Sequence, residues 1–269
     1  MLRPNVSHCV QEEEVHYNPI VIMTVRYNVT NASNPTQLYT YMSQEGITVN
    51  GALMFDKVVI DGTEVSISDL DAASGQTQFT LGEHTVKYAL KEPTFIGIDG
   101  DPSDPSSVKI GATFFSCENV ISVEIPNGVT TFGEGAFSDC RGLTSVTIPN
   151  SVTSIGDGAF QNCSALTSVT IGNSVTSIGE SAFYYCSALA SITIPDSVTA
   201  IGNSAFASCT GLTSITSLAT TAPTITSSTF RDVKTNGTLT VPIGSSGYDV
   251  WMRTGNYYLG KYNWTKVEQ

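Results

Sequence analysis

Cys117, Cys140, Cys163, Cys186 and Cys209 stand 23 positions apart, and they are the first residues whose type and spacing suggest chemistry. Regularly spaced thiols are the raw material of metal arrays and disulfide ladders. Zinc sites, however, call for short spacings such as C-x₂₋₄-C with convergent geometry. A 23-residue interval lays the thiols out in a line instead. If each interval is one coil of a stack, neighbouring Cα atoms fall inside the disulfide range, so distance alone leaves a disulfide open. Free cysteine is also among the most buried residue types and packs as a small apolar group. Packing is the preferred reading, because Val233 takes the cysteine place in the last interval. Cys9 lies outside the series.

Catalytic constellations are scarce. The histidines, His8, His16 and His84, all precede the cysteine series. There is no G-x-S-x-G elbow, no H-E-x-x-H or C-x-x-C motif and no Gly-rich phosphate loop. Glu134, Asp157, Glu180 and Asn203 recur at the common interval and read as a solvated ridge, not as a paired acid and base. Asp99, Asp101 and Asp104 cluster together. Calcium asks for about six to eight oxygen ligands, and the glutamate that ends an EF-hand loop is missing, so a solvated turn is the better reading. The sequence therefore predicts no enzyme, no metal site and no cofactor.

Binding is the chemistry that remains, and it resides in plain residues. Ser122, Ser145, Ser168, Ser191 and Ser214 form one column at the 23-residue interval. Glu124, Thr147, Thr170, Thr193 and Thr216 form a second, and Ile121, Thr144, Thr167, Ala190 and Thr213 a third. Such a carpet of small hydroxyls offers hydrogen bonds to a flat, repetitive ligand such as a glycan or another β-surface. The simpler account is that it keeps a sheet soluble. Binding hot spots favour Trp, Tyr and Arg, and these columns hold none. Tyr184 and Tyr185 interrupt an otherwise small-residue stretch and form a second candidate contact. The candidate binding residues are thus Ser145, Thr147, Ser168, Thr170, Ser191, Thr193, Tyr184 and Tyr185.

These residues need a scaffold, and the sequence supplies one. A fixed period of roughly 20–50 residues is the signature of a solenoid. In the copy from 143 to 163, Val146 and Ile148 share one face of a strand while Ser145 and Thr147 face the other way, with the period of two. Pro149 and Asn150 end that strand, Val152 and Ile155 return on the far side, and Gly156 permits a sharp bend. Ala159, Phe160 and Cys163 then fit one short helical or 3-10 turn packed inward. One copy cannot bury this apolar set alone, but copies stacked about 4.7–4.9 Å apart in a parallel ladder can.

Around the repeats, composition changes. Residues 1–19 read as a polar tail with an acidic run at 12–14. Residues 20–92 carry short β-branched runs at the spacing of a small antiparallel sandwich, Ig-like in plan. Asp61-Gly62 lies between two of those runs, a hairpin signal. Residues 93–107, with three prolines and three aspartates, read as a stiff linker. The solenoid spans 108–242. Residues 243–269 leave the pattern and bring in Tyr248, Trp251, Tyr257, Tyr258, Tyr262 and Trp264. A solenoid end is an exposed slice of core that needs an atypical cap, and these aromatics suit that role; a carbohydrate platform is the alternative. The fold class is therefore mainly β: a 23-residue-repeat solenoid with a C-terminal cap, preceded by a small antiparallel β-sandwich.

The formal net charge is −12, from 24 acidic and 12 basic residues. No Lys/Arg cluster is present to track a phosphate backbone, so nucleic acid is excluded as a partner, as is an anionic membrane surface. No apolar run is long enough to span a membrane, and the first ten residues lack the apolar core of a signal peptide.

The pattern I-G-x-x-A-F-x-x-C-x-x-L-x-S-[VI]-x-I-P-x-x-V, carried nearly throughout by the copies at 131–152, 154–175 and 177–198, resembles the BspA-like, or Treponema-type, leucine-rich repeat. Gly172 replaces the proline in one copy. Gly128, Ser151, Ser174 and Ser197 stand where leucine-rich repeats usually place an asparagine ladder. Residues 84–90 look like the end of the β domain that often precedes such arrays in gut Bacteroidetes proteins. The resemblance implies a bacterial surface or secreted protein used in adhesion to host proteins or other cells; with the residue reading above, the expectation is a non-enzymatic adhesin for host proteins, glycans or other cells. Such proteins carry an export signal, which is not among these residues. The competing expectation is a structural spacer that displays the N-terminal β domain or the C-terminal aromatics.

Overall fold

The computed structural model describes residues 21–29, 36–37, 42–44, 47–49, 55–65, 76–77, 82–90, 108–110 and 116–269. The predicted tail 1–19, the linker 93–107 and Cys9 lie outside the described residues. The described residues are β-strands and turns with one short 3-10 turn, Leu259–Tyr262.

Strands β1 (Val21–Val29), β2 (Thr36–Gln37), β3 (Met42–Gln44), β4 (Ile47–Val49), β5 (Phe55–Ile60), β6 (Thr63–Val65), β7 (Gln76–Thr77) and β8 (Gly82–Leu90) precede the repeats. The Asp61-Gly62 signal is a hairpin: β5 and β6 pair antiparallel, with Ile60 opposite Thr63. Asp61 (φ 49) and Gly62 (φ 85) both take the left-handed backbone that a tight hairpin demands. The Asp61 carboxylate accepts from the Thr85 backbone N–H at 2.9 Å and meets His84 Nδ1 at 2.6 Å, which ties the hairpin to β8.

The repeats then alternate between two ladders. One side of each coil is built from β10 (Val120–Glu124), β12 (Ser145–Thr147), β14 (Ser168–Thr170), β16 (Ser191–Ile194), β18 (Ser214–Ser217), β19 (Thr238–Val241) and, last, β20 (Thr265–Glu268). The other is β9 (Val108–Ile110), β11 (Val129–Phe132), β13 (Ser154–Ile155), β15 (Ser177–Ile178) and β17 (Ala200–Ile201). Pairing is parallel, interrupted on the first side between β14 and β16, and the register is the sequence period itself: Ser122 opposite Ser145, Ser145 opposite Ser168, Ile155 opposite Ile178. Between the ladders, turns carry Phe and Cys inward, and their backbones bond coil to coil, as in Phe160 N–H to Ala182 O at 2.8 Å.

Identity of the repeats becomes stacking in the core. Phe137, Phe160, Phe183 and Phe206 lie ring on ring, with centroids 5.4 Å apart and planes within 6°. Each is fully buried, as are Leu143, Leu166, Leu189 and Leu212. Full burial of one such side chain contributes about 1.5–3 kcal/mol. The cysteines are buried thiols rather than disulfides. Their role is more specific than packing alone: Cys163, Cys186 and Cys209 donate S–H to the carbonyls of Phe137, Phe160 and Phe183 at 3.1–3.2 Å. In the next interval Val233 is buried in the cysteine place without that donor.

The two ends are built differently. At the first coil, β1 pairs antiparallel with β10, Val25 opposite Val123, so the sheet runs on through β1, β8, β5 and β6. The sequence predicts a small antiparallel sandwich before the repeats; among the described strands, β1 is joined edge to edge with β10 of the repeats. β2 pairs β7 and β3 pairs β4 in two small ladders of their own. At the last coil, Phe230 meets Trp251 at 5.3 Å and Trp251 meets Tyr248 at 5.3 Å. Tyr248, Trp251, Leu259 and Trp264 are buried, and their polar atoms are satisfied: Tyr248 Oη donates to Ser217 Oγ at 2.7 Å, Trp251 Nε1 to Pro223 O at 3.0 Å, Trp264 Nε1 to Lys234 O at 2.7 Å.

Candidate functional site

The hydroxyl columns acquire different roles once the coils are stacked. The alternation of β12, β14 and β16 turns Val146, Val169 and Ile192 into the core and leaves Ser145, Thr147, Ser168, Thr170, Ser191 and Thr193 exposed. Among the described residues, these six hydroxyls have no hydrogen-bond partner and face solvent in two columns, Ser145 and Thr147 in register with Ser168 and Thr170, with β16 following as the edge of the next sheet. The third column is different. Thr144, Thr167 and Thr213 donate their hydroxyls to the carbonyls of Ile121, Thr144 and Ala190 at 3.0–3.2 Å. A hydroxyl bonded to the backbone of the preceding coil braces the stack and has less to offer a ligand. The sequence does not separate these two kinds of threonine; the coil-to-coil geometry does.

The serines in the asparagine-ladder place behave unevenly. Ser151 and Ser197 donate to Val129 O and Val175 O at 2.7 Å, which satisfies carbonyls between coils. Ser174 is exposed and makes no such bond. It follows Gly172, where a Cβ would stand 2.5 Å from Pro149 O.

The acidic column is also structural. Asp157 Oδ1 accepts from the Glu180 backbone N–H at 2.7 Å, and Asn203 Nδ2 donates to Glu180 Oε1 at 3.4 Å. No group of three or more His, Cys, Asp or Glu among the described residues is arranged to hold a metal ion. The thiols are unsuited to nucleophilic work: burial pushes Cys209 up to about 12, with the Cys186 backbone hydrogen bond opposing the rise, and burial likewise holds Cys163 and Cys186 well above the ordinary thiol range.

Tyr184 and Tyr185 sit on the turn side of the coil, away from the hydroxyl array. Their ring centroids are 6.2 Å apart at 42°. Tyr185 is 50% exposed, while Tyr184 is half-buried. The Tyr185 backbone has φ 60. Ser116, Asp139, Asn162, Ser208 and Asp232 occupy the same place in the other coils with φ between 58 and 60. Ser, Asp and Asn tolerate this left-handed turn because short polar side chains bond locally; a bulky aromatic does not. Among the described residues, Tyr185 is the one left-handed non-glycine position that is not Ser, Asp or Asn. The sequence shows the tyrosine pair, but not this backbone. The C-terminal aromatics divide in two: Tyr248, Trp251 and Trp264 are inside, whereas Tyr257 is exposed with Lys261 Nζ 4.1 Å above its ring.

Comparison with known proteins agrees with the repeat reading. Residues 108–236 match the model of the BspA type leucine rich repeat region in six copies. Among solved structures, a leucine-rich repeat protein of T. pallidum is 27% identical over 55% of this chain and 70% of its own, with TM-score 0.45. A leucine-rich repeat protein from Bacteroides capillosus is 36% identical over 35% of this chain and 64% of its own, with TM-score 0.29. A leucine rich cell surface protein from Faecalibacterium prausnitzii is 35% identical over 42% of this chain, with TM-score 0.32, and the match spans 38% of that protein. No curated protein matches the chain in sequence.

Proposed function

Residues 108–236 are a BspA-type leucine-rich repeat region, and from that premise we infer that the chain is a non-enzymatic binding protein of the cell surface or the secreted fraction. It acts as an adhesin, contacting host proteins, glycans or other cells through the repeat surface. One observation carries this reading: the exposed hydroxyls of Ser145, Thr147, Ser168, Thr170, Ser191 and Thr193 recur on three successive coils with no internal partner. Regular, unspent donors and acceptors on a stiff face suit a repetitive partner. No helix among the described residues is long and apolar enough to cross a membrane.

On this reading the flanking segments are closures. Residues 243–269 cap the last coil with buried aromatics, and the β-strands of 20–92 form a small Ig-like domain that covers the first. The spacer alternative loses one of its supports, because three of the six C-terminal aromatics are buried and unavailable as a platform. Nucleic acid has no place here, since the cations of the repeats are few and scattered.

The test is adhesion of the purified chain to host-cell layers and immobilised matrix proteins, with and without charge placed on the array. Thr147→Lys combined with Thr170→Lys alters exposed positions only, so the fold persists. Adhesion reduced at least tenfold is expected. Full adhesion by this variant would shift the function to another face, and adhesion by neither protein would remove the adhesin reading.

A further inference from the structure

We propose that Tyr185, steadied by Tyr184, is the stacking platform of a binding site for a neutral glycan on the turn side of the solenoid. The proposal rests on the binding-protein reading above but uses a different face. Four observations meet at this place. A half-exposed aromatic ring holds a left-handed backbone position that the chain otherwise gives to Ser, Asp and Asn. Such local strain persists where the surroundings hold it, and an outlier of this kind points to function. A second ring lies 6.2 Å away and limits the motion of the first. The neighbouring coils carry Gln161 and Ser164 on one side and Ser208 and Thr210 on the other, an amide and hydroxyls without a charge, while the Asn162 amide between them donates to Asp139 Oδ1 at 3.1 Å. The rise between coils, 5.4 Å in the phenylalanine stack, is about the length of one pyranose in an extended oligosaccharide.

The chemistry selects the occupant. The C–H face of a pyranose is slightly positive and is attracted to the negative face of an aromatic ring. The hydroxyls at its rim need uncharged hydrogen-bonding groups at the spacing of successive sugar units, which Gln161 and Ser164 on one coil and Ser208 and Thr210 on the other supply. A sulfated or sialylated glycan needs a cation beside the ring. The guanidiniums two coils away on either side, Arg141 and Arg231, already face Asp139 and Asp232. A protein partner is disfavoured, because stable protein interfaces bury about 800 Å² on each side around clustered anchors, and here one aromatic pair stands alone among small polar residues.

Titration calorimetry on the full chain tests this, with N-acetylchitotetraose and maltotetraose as neutral probes and a heparin tetrasaccharide as the acidic one. Binding of at least one neutral tetramer and none of the heparin fragment is expected. Tyr185→Asn installs the residue found one coil earlier, so the thermal midpoint stays equal or rises while affinity falls at least tenfold. Tyr185→Phe keeps the ring and stays within threefold of the parent. Equal affinity in Tyr185→Asn, preference for heparin, or no heat from either neutral tetramer overturns the proposal. Cell-layer adhesion measured on the same preparations separates the two readings. Adhesion without neutral-glycan binding ends this proposal alone; absence of both ends the binding-protein reading as well.

Discussion

At the scale of single residues, the repeat assigns roles by position more than by residue type. Gly156 is needed for close approach: a Cβ there would stand 2.5 Å from Phe132 O and 2.7 Å from the Gly133 carbonyl carbon, both backbone. Backbone cannot swing aside as a side chain can, so Gly156→Ala is expected to cost about 3 kcal/mol, at the upper end for overpacking. A urea titration beside Thr147→Ala, an exposed position whose hydroxyl has no partner, checks this; a loss below 1 kcal/mol for Gly156→Ala would mean that the coils slide apart freely. Tyr185 shows the reverse case. Its φ of 60 strains a bulky residue, and the left-handed region costs L-residues roughly 1–2 kcal/mol. Tyr185→Asn should therefore stabilise by about 1 kcal/mol, a rise of about 2–4 °C in thermal midpoint for a domain of this size. A fall in midpoint would show that the ring contributes more by packing than its backbone costs.

At the scale of elements, the open question in a ladder is its edge. An unpaired strand edge is a template for association, and the first and last coils of the solenoid solve that problem in different ways. β20 sets Lys266 opposite Leu239 and Glu268 opposite Val241, placing charge where other strands are apolar. The Lys266 ammonium pairs with Glu268 at 3.2 Å. β10 is instead covered by β1, which is itself bonded to β8 on its far side. Thr24 sits in that doubly paired strand, opposite Glu124 and Lys87. Thr24→Pro removes a ladder donor, with an expected loss of about 1–3 kcal/mol from the group left unpaired. Because it loosens the cover on β10, sedimentation should also reveal concentration-dependent association; a monomer at every concentration would show that the edge is protected otherwise. The solenoid was legible in the sequence because identical residues at a fixed interval admit one stacking register, and so was the Asp61-Gly62 hairpin, whose residues tolerate the left-handed turn. The β1–β10 pairing was not. It joins segments about a hundred positions apart through backbone hydrogen bonds, which leave no periodic mark. The tyrosine pair was visible as letters, whereas the spent and unspent hydroxyl columns emerge only when the coils are in contact.

At the scale of the whole molecule, stacking makes the core nearly one-dimensional, so whatever happens in one coil is repeated in the next. The thiols give this a measurable consequence. The five thiols of the repeats are buried, and burial raises each above the ordinary value of 9.0, Cys209 to about 12. The neutral thiol is the form the fold accepts. Below about pH 9 both folded and unfolded chains hold these protons, and stability does not depend on them. Above it the unfolded chain releases protons that the folded chain keeps, so stability falls as pH rises towards the folded values. Each thiol contributes a slope of about 1.4 kcal/mol per pH unit in that window, and five together about 7 kcal/mol per unit. Urea midpoints under reducing conditions should be flat from pH 7 to 8.5 and fall steeply between about pH 9 and 10.5. Replacing Cys163 and Cys186 by valine, the residue that fills this place at Val233 with little exposure, should reduce the alkaline slope by about two-fifths while leaving the neutral-pH fold intact. A slope unchanged by the double replacement would assign the alkaline loss to other groups, such as Tyr248, whose hydroxyl burial also holds above its usual range. A proportional reduction would show that the thiol column titrates with unfolding, one coil at a time in chemistry but as one core in stability.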